Sequence, residues 1–193
     1  MGVAVDSIDM GEDWFAKEVL ADVTRPGVGS IIVKVPKMKN GIDYLVKKLQ
    51  LLVRPKSLWV VRIWGHGGVG MQLASAGEEA SYESDWGAGL SVFNLDGLES
   101  TLETLRPLFM SEKARIELRG CIAAYGSFGS ALMMRLARTC GCRVHASEDY
   151  QAGNNWRGLV WEANPYGTMR KVHGYDIYGG HTSKYMPATN SWS

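Results

Sequence analysis

The chain of 193 residues and 21.2 kDa is 46% hydrophobic and 21% charged, enough apolar material for one buried core, which excludes a disordered chain. A mean hydropathy of -0.12, with every apolar run broken well short of spanning length, excludes a membrane-embedded one. With 21 Lys+Arg against 20 Asp+Glu, a formal charge of +1, there is no electrostatic footprint for nucleic acid or an anionic membrane, and three cysteines suit a reducing compartment better than a disulfide framework.

The start, Met1 to Asp6, lacks a basic segment followed by an apolar one, so no Sec signal is expected and the protein is placed in the cytoplasm or on a non-Sec export route. Residues 1–28 read as an appended helix (Trp14 to Leu20) and loop, and residues 29–193 as the main domain. Ile31 to Val35 is short, β-branched and bounded by Gly29 and Pro36, which predicts a strand. Ile42, Val46, Leu49 and Val53 recur at helical spacing. Ser57 to Trp64 is nearly continuous apolar, as in a strand covered on both faces. Gly65 to Gly70 then suits only a loop.

Further on, Asn94 or Asp96 could cap a helix carrying Leu98, Leu102, Leu105 and Leu108. Ala114 to Arg119 alternates and predicts a strand ending at Gly120-Cys121. A helix from Gly126 to Thr139 follows, with Phe128, Leu132, Met133 and Leu136 on one side, and then a strand from Arg143 to Ala146. Beyond Asp149 the chain reads as a hairpin and a long irregular tail. This succession predicts an α/β open sandwich, with a largely parallel sheet and helices on both faces.

Ligands of such sheets gather outside the carboxyl ends of the strands. His66 stands two residues past one predicted strand and Cys121 two past another, and a single crossover puts the two loops side by side. A cysteine becomes a strong nucleophile as its thiolate, and a neighbouring imidazole activates it. The flanking glycines leave backbone N–H groups exposed to an oxyanion.

Ile63-Trp64-Gly65-His66-Gly67 followed by Leu118-Arg119-Gly120-Cys121 resembles the clan CD, caspase-like cysteine peptidases. The pattern is most similar to a bacterial caspase-like domain of large surface and adhesin-like proteins. Its blocks match in order at His66 to Gly70, Gly120-Cys121, Ala123 to Gly129 and Ala146-Ser147-Glu148-Asp149, within roughly Ile31 to Trp161. The resemblance implies a caspase-like fold and a cysteine endopeptidase without cofactor or metal. Cys121 would be the nucleophile and His66 the general base and leaving-group acid, with the N–H groups of Gly67 and Cys121 as oxyanion hole. Glu148 and Asp149, walled by Trp156, would form a substrate pocket for a basic side chain. The implied partners are a peptide or protein substrate and an inhibitor or immunity protein, with no nucleic acid and no membrane.

Other readings of the same residues stand beside these. Glu148 and Asp149 also suit a turn or cap. Cys140 and Cys142, one residue apart, fit helix-end packing better than a metal site. His173 and His181 suit a polar surface, and Trp14, Trp86, Trp156, Trp161 and Trp192 could be core or partner contacts. The glycine-rich loop lacks phosphate-loop spacing. The same fold would also serve a bacterial toxin effector acting on a target-cell protein or cell-wall peptide, or an inactive interaction module.

Overall fold

A computed structural model describes residues 2–11, 13–24, 29–75, 88–151, 156 and 158–172. Trp86, His173, His181, Trp192 and the tail expected after residue 172 lie outside the described residues. The main sheet is built from seven strands: β1 (Val3–Asp9), β2 (Ser30–Val35), β3 (Leu58–Trp64), β7 (Arg115–Leu118), β8 (Arg143–Ser147), β9 (Val160–Ala163) and β10 (Met169–Val172). Their spatial order is β10-β9-β8-β7-β3-β1-β2. The first five in the chain run parallel, and β9 and β10 return antiparallel as a hairpin on the β8 edge. The chain is an open α/β sandwich.

Four helices cover the sheet: α1 (Asp13–Val23), α2 (Ile42–Leu52), α3 (Leu95–Glu103) and α4 (Gly126–Cys140). One sheet face is apolar. Val5, Val33, Val61, Ile63, Ile116, Leu118, Val144 and Ala146 point from it into the main core, against residues of α2, α3 and α4 such as Leu49, Leu102 and Leu136. The alternation of side chains along each strand sends the intervening residues to the opposite face. There Ile8 and Trp64 pack on Ala16, Val19 and Val23 of α1, so helices flank both faces.

The rest of that second face is ionic. Asp6, Arg62, Glu117, His145, Glu162 and Arg170 are register partners on successive strands and make one row across the sheet. All but Arg170 are buried. Arg62 Nη1 lies 3.1 Å from Asp6 Oδ2, and Glu117 meets Arg115 at 2.7 Å and Arg62 at 3.6 Å. Glu162 meets His145 at 2.9 Å, Arg143 at 3.1 Å and Arg170 at 2.7 Å. Burial works to raise both carboxyls. For Glu117 the Arg115, Arg119 and Arg62 charges outweigh it, and for Glu162 the His145 and Arg170 hydrogen bonds do, so each is brought down to about 2.

Three expectations need correction. Residues 1–28 are no appendage: β1 lies between β3 and β2 inside the sheet, because Asp6 finds a buried partner in Arg62 and in the Trp64 indole N–H, 2.8 Å away. The glycine-rich stretch after β3 is not only loop. β4 (Gly67–Gly68), β5 (Met71–Leu73) and β6 (Gly89–Ser91) form a separate three-stranded sheet. The leucine repeat after Asn94 is helical only to Glu103; Leu105 and Leu108 continue it through tighter turns, their N–H groups donating to Leu102 and Leu105. Asn94 does occupy the N-cap position, but its side chain bonds Ser91 and Gly89 instead.

Candidate active site

The sheet register sets the site. β3 pairs with β7 at an offset of 55 residues, from Val60↔Arg115 to Ile63↔Leu118, and His66 and Cys121 are separated by the same 55. Between β7 and β8 the offset is 28, which is the separation of Cys121 from Asp149. His66, Cys121 and Asp149 thus stand equally far along the chain past Ile63, Leu118 and Ala146, at the carboxyl end of the sheet. They stand beside the place where the strand order reverses, since β1 leads to β2 on one side and β3 leads to β7 and β8 on the other.

His66 opens the β4–β5 hairpin, and its carbonyl accepts from Leu73 N–H at 2.8 Å. Antiparallel pairs alternate, so the next pair, Gly67↔Gln72, is the non-hydrogen-bonded kind and the Gly67 N–H turns away from β5. It turns toward β7. Gly67 lies so close that a Cβ there would stand 2.6 Å from Cys121 N and 2.5 Å from Cys121 O. At Gly120 a Cβ would stand 2.7 Å from Gly67 Cα. Only two glycines allow the loops to meet backbone to backbone. The half-buried His66 ring lies 5.6 Å from the Phe15 ring and 6.4 Å from that of Trp14, both on α1.

Cys121 is half-buried, and the residue after it is strained. Ile122 has φ of 44°, the left-handed region that a β-branched side chain avoids. The turn is held there by β8: Ile122 N–H donates to Asp149 O at 3.0 Å and Ala124 N–H to Ser147 O at 2.9 Å. The Cys121 sulfur faces the Gln151 backbone, 3.4 Å from its N–H and 3.6 Å from its carbonyl oxygen. A thiolate would keep that N–H donor. Cys140 and Cys142 are fully buried at the end of α4 and the start of β8. Burial pushes Cys140 up to about 12 and Cys142 well above the usual thiol value. Of the three cysteines only Cys121 is partly exposed.

The residues expected to bind substrate lie close by in the chain but face different partners. The Glu148 carboxylate accepts the Trp161 indole N–H at 2.8 Å. Asp149 Oδ2 accepts Leu159 N–H at 3.3 Å, while its carbonyl holds Ile122. Trp156 is buried with its ring 3.9 Å from the Arg119 guanidinium, which also lies 4.7 Å from the Trp64 ring. The structure therefore brings together the backbones of Gly67, Gly120 and Cys121, with the Asp149 carbonyl on Ile122. It sets the His66 ring against Phe15 and Trp14 and the Cys121 sulfur against Gln151, and directs the Glu148 and Trp156 side chains to Trp161 and Arg119.

Gln72 escaped the sequence reading. It is fully buried on β5, and its Oε1 accepts Gly120 N–H at 2.7 Å. Its Nε2 faces the carbonyls of Leu73 at 3.0 Å, Gly65 at 3.3 Å and His66 at 3.4 Å. A single polar residue in Met71-Gln72-Leu73 carries no signal of such a position. Among the described residues no cluster of three or more His, Cys, Asp or Glu could hold a metal ion, and no helix is long and apolar enough to cross a membrane. No family model, no curated protein and no solved structure matches the chain.

Proposed function

We propose that the chain is a cysteine endopeptidase working through His66 and Cys121. The observation that carries this reading is the shared register. One offset of 55 residues pairs β3 with β7 and also separates His66 from Cys121 along the chain, in the two loops whose Gly67 and Gly120 backbones meet.

In the first step the His66 imidazole takes the Cys121 thiol proton and the sulfur attacks the scissile carbonyl carbon, forming an S–C bond. The negative oxygen that results accepts hydrogen bonds from the N–H groups of Gly67 and Cys121, donors of the kind worth about 10²- to 10³-fold in rate. As the C–N bond breaks, the imidazolium returns its proton to the leaving amine and a thioester remains. Water, deprotonated by His66, then adds to the thioester, and the S–C bond breaks to release the carboxylate and restore the thiol. The substrate in this reading is a peptide or protein.

The test is covalent labelling. A peptidyl acyloxymethyl ketone is expected to label Cys121, located by mass spectrometry, while Cys140 and Cys142 stay unmodified in the native chain. His66→Ala should slow labelling by about 10²-fold or more, the usual worth of a positioned acid–base group. Equal labelling of His66→Ala, or modification of Cys140 or Cys142 first, would overturn the reading.

A further inference from the structure

Gln72 offers a second handle on the same two loops, and its role rests on the peptidase reading. We infer that Gln72 is a positioning residue, whose carboxamide fastens the His66 loop to the Cys121 loop and sets the spacing of the two oxyanion donors. Its hydrogen bonds go to backbone groups of both loops, and it acts through them.

The geometry is specific to an amide. Gln72 sits opposite Gly67 in the β4–β5 ladder, so its main chain is tied to the strand bearing one oxyanion donor. Its side-chain oxygen takes the N–H of Gly120, the residue just before the other donor at Cys121. Its side-chain nitrogen looks back to the carbonyls of Gly65 and His66. One end of the group must accept and the other must donate. A buried amide is costly to desolvate unless it is hydrogen-bonded, and this one is bonded at both ends. An apolar side chain of the same length would fill the space yet leave Gly120 N–H and the Gly65 carbonyl facing it without that partner. The two loops would then be held by glycine packing alone.

A carboxyl group in place of the amide separates positioning from mere filling. In Gln72→Glu one oxygen still accepts from Gly120 N–H. When ionised, the other oxygen confronts the carbonyls of Gly65, His66 and Leu73, which repel it. When protonated, its O–H supplies a donor again. Burial favours the neutral acid, so the donor is present at low pH and lost as pH rises.

The experiment measures inactivation of the full chain by the peptidyl acyloxymethyl ketone as kinact and KI, for wild type, Gln72→Met, Gln72→Glu and His66→Ala. For Gln72→Met, kinact is expected to fall by about 10²-fold with KI little changed, the loss typical of displacing reacting groups by about an ångström. For Gln72→Glu, the ratio of its kinact to that of wild type is expected to rise by about tenfold or more from about pH 8 to about pH 5 as the acid becomes protonated. A ratio independent of pH, or a Gln72→Met variant that keeps both kinact and KI, overturns the positioning role. If Gln72→Met does not fold, as judged by near-ultraviolet circular dichroism, the pH dependence of Gln72→Glu decides alone. His66→Ala with unchanged kinact would instead defeat the peptidase reading, whatever the Gln72 variants do.

Discussion

The two faces of the central sheet are built on opposite principles. On the apolar face Val61, Ile63, Ile116 and Leu118 meet three helices, and any hydrophobic residue of similar size opposite another would serve. On the ionic face each charge has a specified neighbour. If β7 slipped by two residues along β3, the apolar face would still present Ala114 or Leu118 to Val61. The ionic face would then place Arg115 or Arg119 opposite Arg62 instead of Glu117, setting like charges against each other in a buried layer. The apolar face supplies most of the driving force for folding, and the ionic face chooses the register. That choice matters for the candidate site, because the same register brings the Gly67 backbone against Gly120 and Cys121.

The largest test of this contrast removes the hub of the ionic row. Glu117→Gln leaves Arg62, Arg115 and Arg119 beside a neutral group in a buried layer and should lower unfolding free energy by about 3–5 kcal/mol in urea titration. A loss under about 1 kcal/mol would mean that the row is not held by charge. On the other face Leu136→Ala, at a fully buried position of α4, should remove about 3 kcal/mol through lost burial and the cavity left behind.

The two losses should differ in their response to acid. Glu117 and Glu162 are lowered from an ordinary value of 4.5 to about 2 in the folded chain. A carboxyl with a depressed folded value stabilises fully above its unfolded value, and that stability disappears as pH falls toward the folded value. The urea midpoint of wild type is therefore expected to fall between about pH 4.5 and about pH 2, and that of Glu117→Gln to fall less steeply. Leu136→Ala should run parallel to wild type. Identical acid limbs for wild type and Glu117→Gln would break the distinction between the faces.

Much of the fold was legible because period and composition agreed. The run from Ser57 to Trp64, the repeat Ile42, Val46, Leu49 and the alternation from Ala114 to Arg119 each specify one structure, and β3, α2 and β7 form there. β1 was not, since Asp6, Ser7 and Asp9 in a strand of seven suggest solvent, whereas all three are buried. Their burial depends on residues far along the chain, Arg62 and Trp64 for Asp6, which no local window contains. At the candidate site the strand ends that carry His66 and Cys121 could be read from the sequence, but the strained Ile122 and the Gln72 amide could not. Both take their meaning from contacts across the fold, with Asp149 and with Gly120. Phe128 illustrates the converse: its helical spacing places it with Leu132 on the apolar side, yet it is 49% exposed and lies 5.5 Å from the ring of Phe93, which is exposed too.

The interior place of β1 has a bearing on how the chain assembles. Its pairings reach forward 26 residues to β2 and about 56 to β3, and the next pairings, β3 with β7 and β7 with β8, reach 55 and 28. In the main sheet the antiparallel steps from β8 to β9 and from β9 to β10 are the local ones. Loop closure must come before these contacts can repay it, so folding belongs to the slow, non-local class. A nascent chain holds β1 and β2 as an incomplete edge until Trp64 has been made, and the Gly67 and Gly120 loops cannot meet until Leu118 has joined.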